Sequence, residues 1–516
     1  MILTWLLMTP VIGGALAWAA GACPPLAGRR PAVSRWVALA ACGVQLGLAC
    51  WAGAYLLPNG GFVEQRARWI PALGVSYHLA IDGLSLLLVA LTALLGMVAV
   101  TCSWREIQHR VGAFHFVLLC VLAGVTGVFL ARDLLLFYFL WEVMLVPMYF
   151  LIAIWGHERR NYAAIKFFLF TFIPSLLMLA AILGLAFLHY RATSVLTFDA
   201  EALKATPLSP IAAAWLMAGF FLGFAVKVPA VPLHTWLADA HTEAPTGGSV
   251  VLAGLLLKTG AYGMLRFAIP LFPDAAAAFA PIACALGVAG ILYGAALSFA
   301  QIDFKRMVAY SSISHMGFVL LGVYSGNEIA LQGAMMQMLA HGVGTGALFV
   351  LAGSIQERCH TRQLDRLGGL WETAPRLGGF TLLFALAAVG LPGMGSFIGE
   401  FLSLLGAYLV HPALAAIGAV GFVLSVVYAL RLLQQSIYGP NSEGWRVPDL
   451  TPREVVMLGG LAAVIFWLGL YPAPIFQAAG PALRELGAHS ASAPLRVNGT
   501  LLPWTQQVQT TREDVP

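Results

Sequence analysis

Two lysines lie inside long apolar runs of the sequence. Lys227 ends the run IAAAWLMAGFFLGFAV, and Lys258 lies within SVVLAGLLLKTGAYGML, with Pro229, Pro232 and Pro245 between them. A lysine at membrane depth costs roughly 2.5–3.5 kcal/mol, and desolvation disfavours its charged form. Because proline breaks or kinks a helix, the stretch predicts a broken helix flanked by two intramembrane lysines. A proton or ion path needs this arrangement.

Five further ionisable side chains lie in or beside apolar segments. Glu142 is in the middle of LLLFYFLWEVMLVPMYFL, and Glu400 follows a second interruption, LPGMGSFIGEF at 391–401. His234 follows the first interruption, His315 lies in SSISHMGF and His341 in MMQMLAHGVGTG. Ionisable residues in membrane segments mark ion pathways by default. We interpret one set as a proton relay, with His234 on its uptake side: Glu142, Lys227, Lys258, His315, His341 and Glu400.

Each of these residues also has a structural interpretation. The glutamates and Lys227 could be only ion-pair partners, and the histidines could be hydrogen-bonded packing residues. Lys258 lies too near the middle of its segment to reach the interface easily. Solvated or capping roles fit better for the residues in the connection after the first interruption: Asp239, His241 and Glu243.

The composition sets the class of protein. Of the 516 residues, 60% are hydrophobic and 10% are charged, and the mean hydropathy is +0.84, which excludes a soluble globular domain. A net charge of +5 is too small to indicate a nucleic-acid partner. The 7 cysteines form no CxxC pair and no metal-ligand spacing, and no glycine-rich nucleotide loop is present. We therefore expect no cofactor and no metal in the chain itself.

The apolar segments predict an all-α integral membrane protein. A spanning helix needs about 20 apolar residues, and we count fourteen candidates, the seventh continued by a short helix at 233–243. The candidates are 2–20, 34–56, 80–101, 112–130, 133–154, 162–188, 210–229, 247–268, 276–299, 307–324, 329–354, 377–409, 412–436 and 454–472.

The basic residues predict an orientation. Of the 28 lysines and arginines, 17 fall in odd-numbered loops, 6 in even-numbered loops and 3 in the C-terminal tail. The positive-inside rule places odd-numbered loops in the cytoplasm, and hence both termini in the periplasm. If one span were missed, every later loop would change between odd and even and this asymmetry would be lost. The asymmetry therefore supports the count of fourteen.

Two segments, 210–243 and 377–409, are too long for one span and are interrupted within. They lie five spans apart, and an odd separation would invert the second copy relative to the first. We therefore predict two inverted five-helix repeats, spans 4–8 and 9–13, with broken helices 7 and 12. The predicted domains are 1–110 (helices 1–3), 111–270 (first repeat), 271–438 (inverted repeat) and 439–516 (helix 14 and tail).

Four stretches resemble the antiporter-like membrane subunits of respiratory complex I: 139–156, 224–263, 304–318 and 391–401. The resemblance covers nearly the whole chain and is weakest at 1–75 and after about residue 440. Sister subunits and the related Mrp antiporters usually have lysine at the position of Glu400, so the glutamate favours one subunit type. Ala238 replaces a proline that is common in the family, which loosens a helix start but leaves the ionisable set intact.

The resemblance implies a proton-translocating subunit of NADH:quinone oxidoreductase, a multi-pass protein of the bacterial inner membrane. It places NADH, FMN, iron–sulfur clusters and quinone in partner subunits. The implied partners are the lipid bilayer, antiporter-like subunits of the L and N types on either side, and the lateral helix of the L-type subunit. No nucleic acid is expected.

The resemblance also implies an order of proton transfer. Glu142 would stabilise charged Lys227, which would pass its proton to Lys258, then to His315 and His341, and finally to Glu400 on the exit side. Two alternatives stay open at this point, an Mrp-type cation/proton antiporter subunit and a membrane-bound hydrogenase subunit. The ionisable set argues against a passive scaffold, and nothing in the sequence requires a quinone site.

Overall fold

The computed structural model describes residues 1–22, 30–56, 62–491, 496–497 and 500–501. The predicted tail after residue 501, with Arg512, lies outside the described residues, as does Arg29 in the first loop. Almost all described residues are helical, as the all-α prediction requires.

The N-terminal part contains three spanning helices and one hairpin. Its elements are α1 Ile2–Ala22, α2 Arg30–Leu56, β1 Val63–Ile70, β2 Val75–Ile81 and α3 Gly83–Glu106. The third span was predicted to begin at residue 80, which is wrong by three residues because 75–81 pair with β1. In the first four residues of β2, apolar residues alternate with polar ones, and Gly74, at φ +68°, closes the turn.

The next helices surround the first interruption. They are α4 Val111–Leu130, α5 Leu134–Trp155, α6 Arg160–Thr193, the short α7 Ala200–Lys204, α8 Pro210–Lys227 and α9 Thr235–Glu243. The segment between α8 and α9 contains Pro229 and Pro232, where the break was predicted, so the break is confirmed. Asp133 begins α5 by accepting hydrogen bonds from the N–H groups of Leu135 and Leu136.

One continuous buried helix follows, at 246–271. Its α-helical parts are α10 Thr246–Val251, α11 Leu257–Gly263 and α12 Ile269–Leu271. Two π-helical turns, Leu252–Leu256 and Met264–Ala268, join these parts. This helix is almost entirely buried, and so are the helices Phe304–Ser325 and Glu328–Cys359. These three helices form the centre of the bundle.

The second half contains the second interruption. Its helices are α13 Pro273–Phe299, α14 Phe304–Ser325, α15 Glu328–Cys359, α16 Leu370–Thr373, α17 Pro375–Val389 and α18 Gly395–Val410. The break between α17 and α18 lies where it was predicted. Gly390 and Gly393 lie within it at φ +78° and +96°, a backbone region that glycine adopts freely.

The C-terminal part has two further spans and a surface helix. Its elements are α19 Pro412–Leu433 with a π turn at Gln434–Tyr438, α20 Pro452–Leu470, α21 Ala473–Ala491, β3 Arg496–Val497 and β4 Thr500–Leu501. The sequence did not predict α21, which packs against α3 and α15.

Thirteen helices among the described residues are long and apolar enough to cross a membrane, and the shorter α17 and α18 together supply an interrupted crossing. These agree with the fourteen predicted segments. The domain boundaries at 110, 270 and 438 fall at or beside helix ends. The inverted relation of the two five-helix sets stays a prediction.

Charged side chains tie the hairpin end of the bundle together. Asp82 caps α3 through the N–H of Ser85 and forms ion pairs with Arg132, 3.3 Å away, and with Arg266. Burial by itself would raise the pKa of Asp82, but the guanidinium groups of Arg266 and Arg132 hold it well below its usual range. The carboxylate therefore stays charged and fixes α3 to the 246–271 helix.

We predict that Gly83→Ala detaches α21 from α3. A Cβ at position 83 would lie 1.7 Å from the carbonyl oxygen of Ala478, so one backbone must move, at a cost of about 1–3 kcal/mol. Thermal unfolding of the purified protein should show a lower midpoint. Gly379→Ala is the matched control, because a Cβ there meets open space. Equal midpoints for the two variants would contradict the packing.

Candidate functional site

Lys227 is the last residue of α8 and is fully buried at the first helix break. Its Nζ lies 5.5 Å from the ring centroid of Trp141 and 5.3 Å from that of Phe167. Among the described residues, Nζ has no hydrogen-bond partner. The ammonium group is therefore held by the faces of two aromatic rings, an arrangement that attracts a cation without fixing it as a carboxylate would.

Glu142 lies on α5, next to Trp141, and is half-buried. Its Oε1 accepts a hydrogen bond of 2.7 Å from Ser175 Oγ on α6. Glu142 and Lys227 are within electrostatic range of each other, although they form no ion pair within 4.0 Å. The structure therefore brings the predicted pair to the same region without direct contact.

Lys258 lies on α11 and is also fully buried. Its Nζ contacts the carbonyl oxygen of Ala253 at 2.5 Å and Nδ1 of His341, on α15, at 2.6 Å. Ala253 belongs to the π turn just before Lys258, five residues earlier in the chain. Such turns are frequent at functional sites, and here the turn presents a carbonyl oxygen to a buried ammonium group.

His315 links the centre of the bundle to the second break. Its ring centroid lies 5.6 Å from that of His341. Nδ1 contacts Glu400 Oε1 at 2.6 Å, and Nε2 contacts the hydroxyl of Tyr428 at 3.1 Å. The expected order was His315 before His341. The structure reverses it, because α15 lies beside the 246–271 helix and α14 carries His315 against α18.

Glu400 lies one helical turn and a half into α18 and is fully buried. Its Oε1 also accepts a hydrogen bond of 2.8 Å from Nε2 of Gln337 on α15. Its Oε2 is buried without a partner among the described residues and would lie 3.3 Å from a Cβ at Gly390. One carboxylate oxygen is therefore bound, and the other points toward the second break.

The two lysine-bearing helices approach closely at a glycine. A Cβ at Gly260 would lie 2.5 Å from the carbonyl oxygen of Phe224 and 3.0 Å from Cβ of Lys227. Only a residue without a side chain permits this approach of α11 to α8. The first break and Lys258 are thereby held next to each other.

His234 lies apart from this series. It is in the first break, and its ring packs edge-on against Tyr293, with 5.3 Å between centroids. It has no hydrogen bond or ring contact with Lys258 or its partners in the described part of the chain. The structure therefore brings together Lys258, His341, His315 and Glu400 by contact, with Lys227 and Glu142 beside them.

Comparison with known proteins identifies the family of this chain. The family described as NADH:quinone oxidoreductase/Mrp antiporter, transmembrane, matches residues 131–426. A protein of Pseudomonas aeruginosa, named NADH-quinone oxidoreductase subunit M, is 52% identical over 492 residues, which cover 92% of this chain and 96% of that protein. The chain belongs to this family.

Two further comparisons extend the match. Subunit M of Escherichia coli K12 is 49% identical over 94% of this chain and 97% of its own length. A chain of respiratory complex I from Thermus thermophilus superposes with a TM-score of 0.86 at 34% identity, over 95% of this chain and all of that one. The predicted family membership is confirmed. The relatives are named subunit M, which is the subunit type that the glutamate at position 400 favoured.

No group of three or more metal-ligating side chains occurs among the described residues. Sequence reasoning missed three residues of the site, namely Trp141, Gln337 and Tyr428. None of them is a glutamate, lysine or histidine, the residue types by which the others were identified in apolar segments. Only the packing of α5, α15 and α19 shows what they contact.

Tyr428→Phe should destabilise the second half of this family member. The substitution removes the hydroxyl partner of His315 Nε2 and leaves a buried ring nitrogen without one, which costs about 1–3 kcal/mol. The thermal midpoint of the purified protein should fall. Tyr408→Phe changes a largely exposed tyrosine and is the matched control. A midpoint that is the same for both would show that the hydroxyl contact contributes nothing.

Proposed function

We propose that this chain is the M-type, proton-translocating subunit of a bacterial NADH–quinone oxidoreductase. The observation that carries the proposal lies in the buried centre of the bundle, where Lys258 and His341 are in hydrogen-bond contact, as are His315 and Glu400. The rings of His341 and His315 lie between these two contacts, with 5.6 Å between their centroids. Protonatable groups at hydrogen-bond distance can pass a proton, and hydrocarbon around them prevents its loss. Members of the family carry the oxidoreductase name.

Proton transfer begins at Lys227 and Glu142. The carboxylate favours the charged lysine electrostatically, and desolvation opposes it. Because Glu142 is only half-buried, a charge on a neighbouring subunit can alter its hold on Lys227. When that hold weakens, Lys227 releases its proton toward Lys258, across the close contact at Gly260.

The next steps follow the observed contacts. Lys258 Nζ donates its proton to Nδ1 of His341, so one N–H bond breaks and another forms. His341 then releases the proton on its Nε2 across the gap between the two rings to Nε2 of His315, so one N–H bond breaks and another forms. His315 passes the proton on its Nδ1 to Oε1 of Glu400, which breaks an N–H bond and forms an O–H bond. The free Oε2 of Glu400 faces the second break, where irregular backbone offers polar groups for release.

The redox chemistry takes place in partner subunits on this proposal. NADH, FMN, the iron–sulfur clusters and quinone belong to them, and no electron passes through this chain. The neighbours along the membrane are the L-type and N-type subunits on either side, with the lateral helix of the L-type subunit along the bundle.

The charge distribution supports one orientation. Three loops rich in basic residues meet at one end of the bundle. In that region the N–H of His157 donates to Glu243 O at 2.9 Å, Arg362 donates to Thr242 O at 2.9 Å, and Leu364 donates to Ile302 O at 2.7 Å. The positive-inside rule assigns this end to the cytoplasm of the inner membrane and both termini to the periplasm.

The second candidate is an Mrp-type cation/proton antiporter subunit, because the matching family includes those proteins. Purification, from its native membrane, of the complex that contains this chain distinguishes the two candidate functions. Co-purification with NADH-oxidising subunits supports the oxidoreductase, and a complex that exchanges Na⁺ for protons without NADH oxidation supports the antiporter.

Glu400→Gln should lower NADH-driven proton pumping by about tenfold or more, because a proton carrier is removed while shape is kept. Assembly should survive, since a neutral amide is easier to bury than a carboxylate. Fluorescence quenching in proteoliposomes measures the pumping, and Glu372→Gln, at an exposed glutamate, is the control. Glu400→Lys, which restores a titratable group of opposite charge, should pump at an intermediate rate. Full pumping by Glu400→Gln would make Glu400 structural and move the exit elsewhere.

Glu142→Gln should abolish most coupled pumping in the assembled complex. The amide keeps a group that can accept the hydrogen bond from Ser175 but loses the charge that acts on Lys227. Ser175→Ala is a useful comparison, because it removes the hydrogen bond and leaves the charge. Pumping by Glu142→Gln at the rate of the parent would refute a role for the charge.

A further inference from the structure

A third lysine is fully buried, and no pattern in the sequence predicted its burial. Lys305, the second residue of α14, was counted among the basic residues of a loop, yet none of its surface is exposed. Its Nζ contacts His157 Nε2 and Ala244 O, both at 3.3 Å. It forms no ion pair among the described residues, although Arg362 pairs with the neighbouring Asp303 at 2.5 Å. The buried cation is therefore held by neutral groups alone.

His157, the nearest partner of this lysine, lies in the loop between α5 and α6. Burial, and then the charges of Lys305 and Arg362, lower the pKa of His157 to about 3. The ring is therefore neutral at physiological pH, and its Nε2 can accept a hydrogen bond from the ammonium group of Lys305.

Two cavities meet at His157. The first, of about 600 Å³, is open and is lined by polar side chains that include Glu158, Asp303 and Arg306. The second, of about 200 Å³, is more enclosed, and its lining includes Glu106 and Thr246. At about 30 Å³ per molecule, it has room for roughly six waters. A polar passage thus leads from the basic end of the bundle to His157.

His241 lies on the inner side of Lys305, on α9, which packs against α14. It is fully buried, and its ring stacks on Phe349 with 4.5 Å between centroids. Neither ring nitrogen has a partner in the described residues. Its electrostatic neighbours are Lys305 and Lys258. A solvated or capping role was expected for His241, and this burial contradicts it.

We propose that His157, Lys305 and His241 form the proton-uptake route from the basic end of the bundle to Lys258. The inference rests on the proposed function and deepens it by naming where protons join the relay. A proton from the cavity is accepted at His157, passes to a neutral Lys305, and leaves Lys305 Nζ for a ring nitrogen of His241. His241 then gives it to Lys258. The first step breaks an O–H bond of a protonated water in the cavity and forms an N–H bond, and each later step breaks one N–H bond and forms another. This route replaces the uptake role expected of His234.

The sharpest test compares Lys305→Arg with Lys305→His. Arginine keeps the positive charge and the hydrogen-bond donors but is never deprotonated, whereas histidine titrates near neutral pH. In proteoliposomes of the purified complex, we expect Lys305→Arg to lower coupled NADH:quinone turnover and proton pumping by about tenfold, with partial recovery in Lys305→His. A structural cation would give the opposite ranking, and full activity of Lys305→Arg overturns the proposal.

Lys166→Met is the matched control, because Lys166 lies at the same end, pairs with Asp239 at 2.7 Å and lines neither cavity. Arg306 also pairs with Asp239, so the loss of Lys166 leaves that carboxylate with a partner. We expect Lys166→Met to pump within about twofold of the parental rate, because an ion pair near the surface contributes little to stability.

His241→Phe decides the matter if Lys305→Arg fails to assemble. Phenylalanine keeps the stack on Phe349 and removes both ring nitrogens, so assembly should persist while pumping falls by about tenfold. Pumping at the parental rate in this variant overturns the route. Lys258→Met in the same assay tells the two proposals apart. If Lys258→Met pumps normally, the proposed relay is wrong. If Lys258→Met is blocked while Lys305→Arg and His241→Phe pump normally, only the uptake route is wrong.

Discussion

Burial of positive charge without a paired carboxylate is the constraint on which the centre of this protein depends. Lys227, Lys258 and Lys305 are each fully buried, and their closest contacts are aromatic rings, carbonyl oxygens or histidine nitrogens. A close ion pair would stabilise the charged state and hold its proton. Neutral contacts leave the charged and uncharged states nearer in free energy, as reversible proton transfer requires.

The ends of the bundle use the opposite arrangement. Carboxylates there are paired directly with cations, and the pairs join segments distant in sequence: Asp82 with Arg132 and Arg266, Asp303 with Arg362, and Glu454 with Arg358. Such pairs hold helices in place, because removing one partner leaves a buried charge. The structure thus separates the directly paired charges at the ends of the bundle from Lys227 and Lys258, which lie at its centre without a carboxylate in direct contact.

Departures from regular helix occur beside Lys227, Lys258 and Glu400. The first break follows Lys227, a π turn precedes Lys258, and the second break precedes Glu400. Regular helix satisfies every backbone group internally and leaves none for a side chain or a proton. Each irregularity frees a carbonyl oxygen or admits a close approach, as Ala253 and Gly390 show.

The sequence by itself determined the membrane class, the number of crossings, both helix breaks and the six ionisable residues that the structure brings to the centre of the bundle. These follow from local properties, since hydropathy, proline and glycine act over about 20 residues or fewer. It placed the start of the third span three residues early and missed α21, because a short hairpin and a surface helix carry weak local signals.

Only the tertiary structure decided which side chains meet. It placed His341 before His315, brought Gln337 and Tyr428 to the His315–Glu400 pair, and moved His234 away from Lys258. It also buried Lys305, whose position at the start of α14 looked like an ordinary loop charge. The physical reason is that these contacts join residues 59 to 148 positions apart, so the packing of whole helices sets them and no local pattern records them.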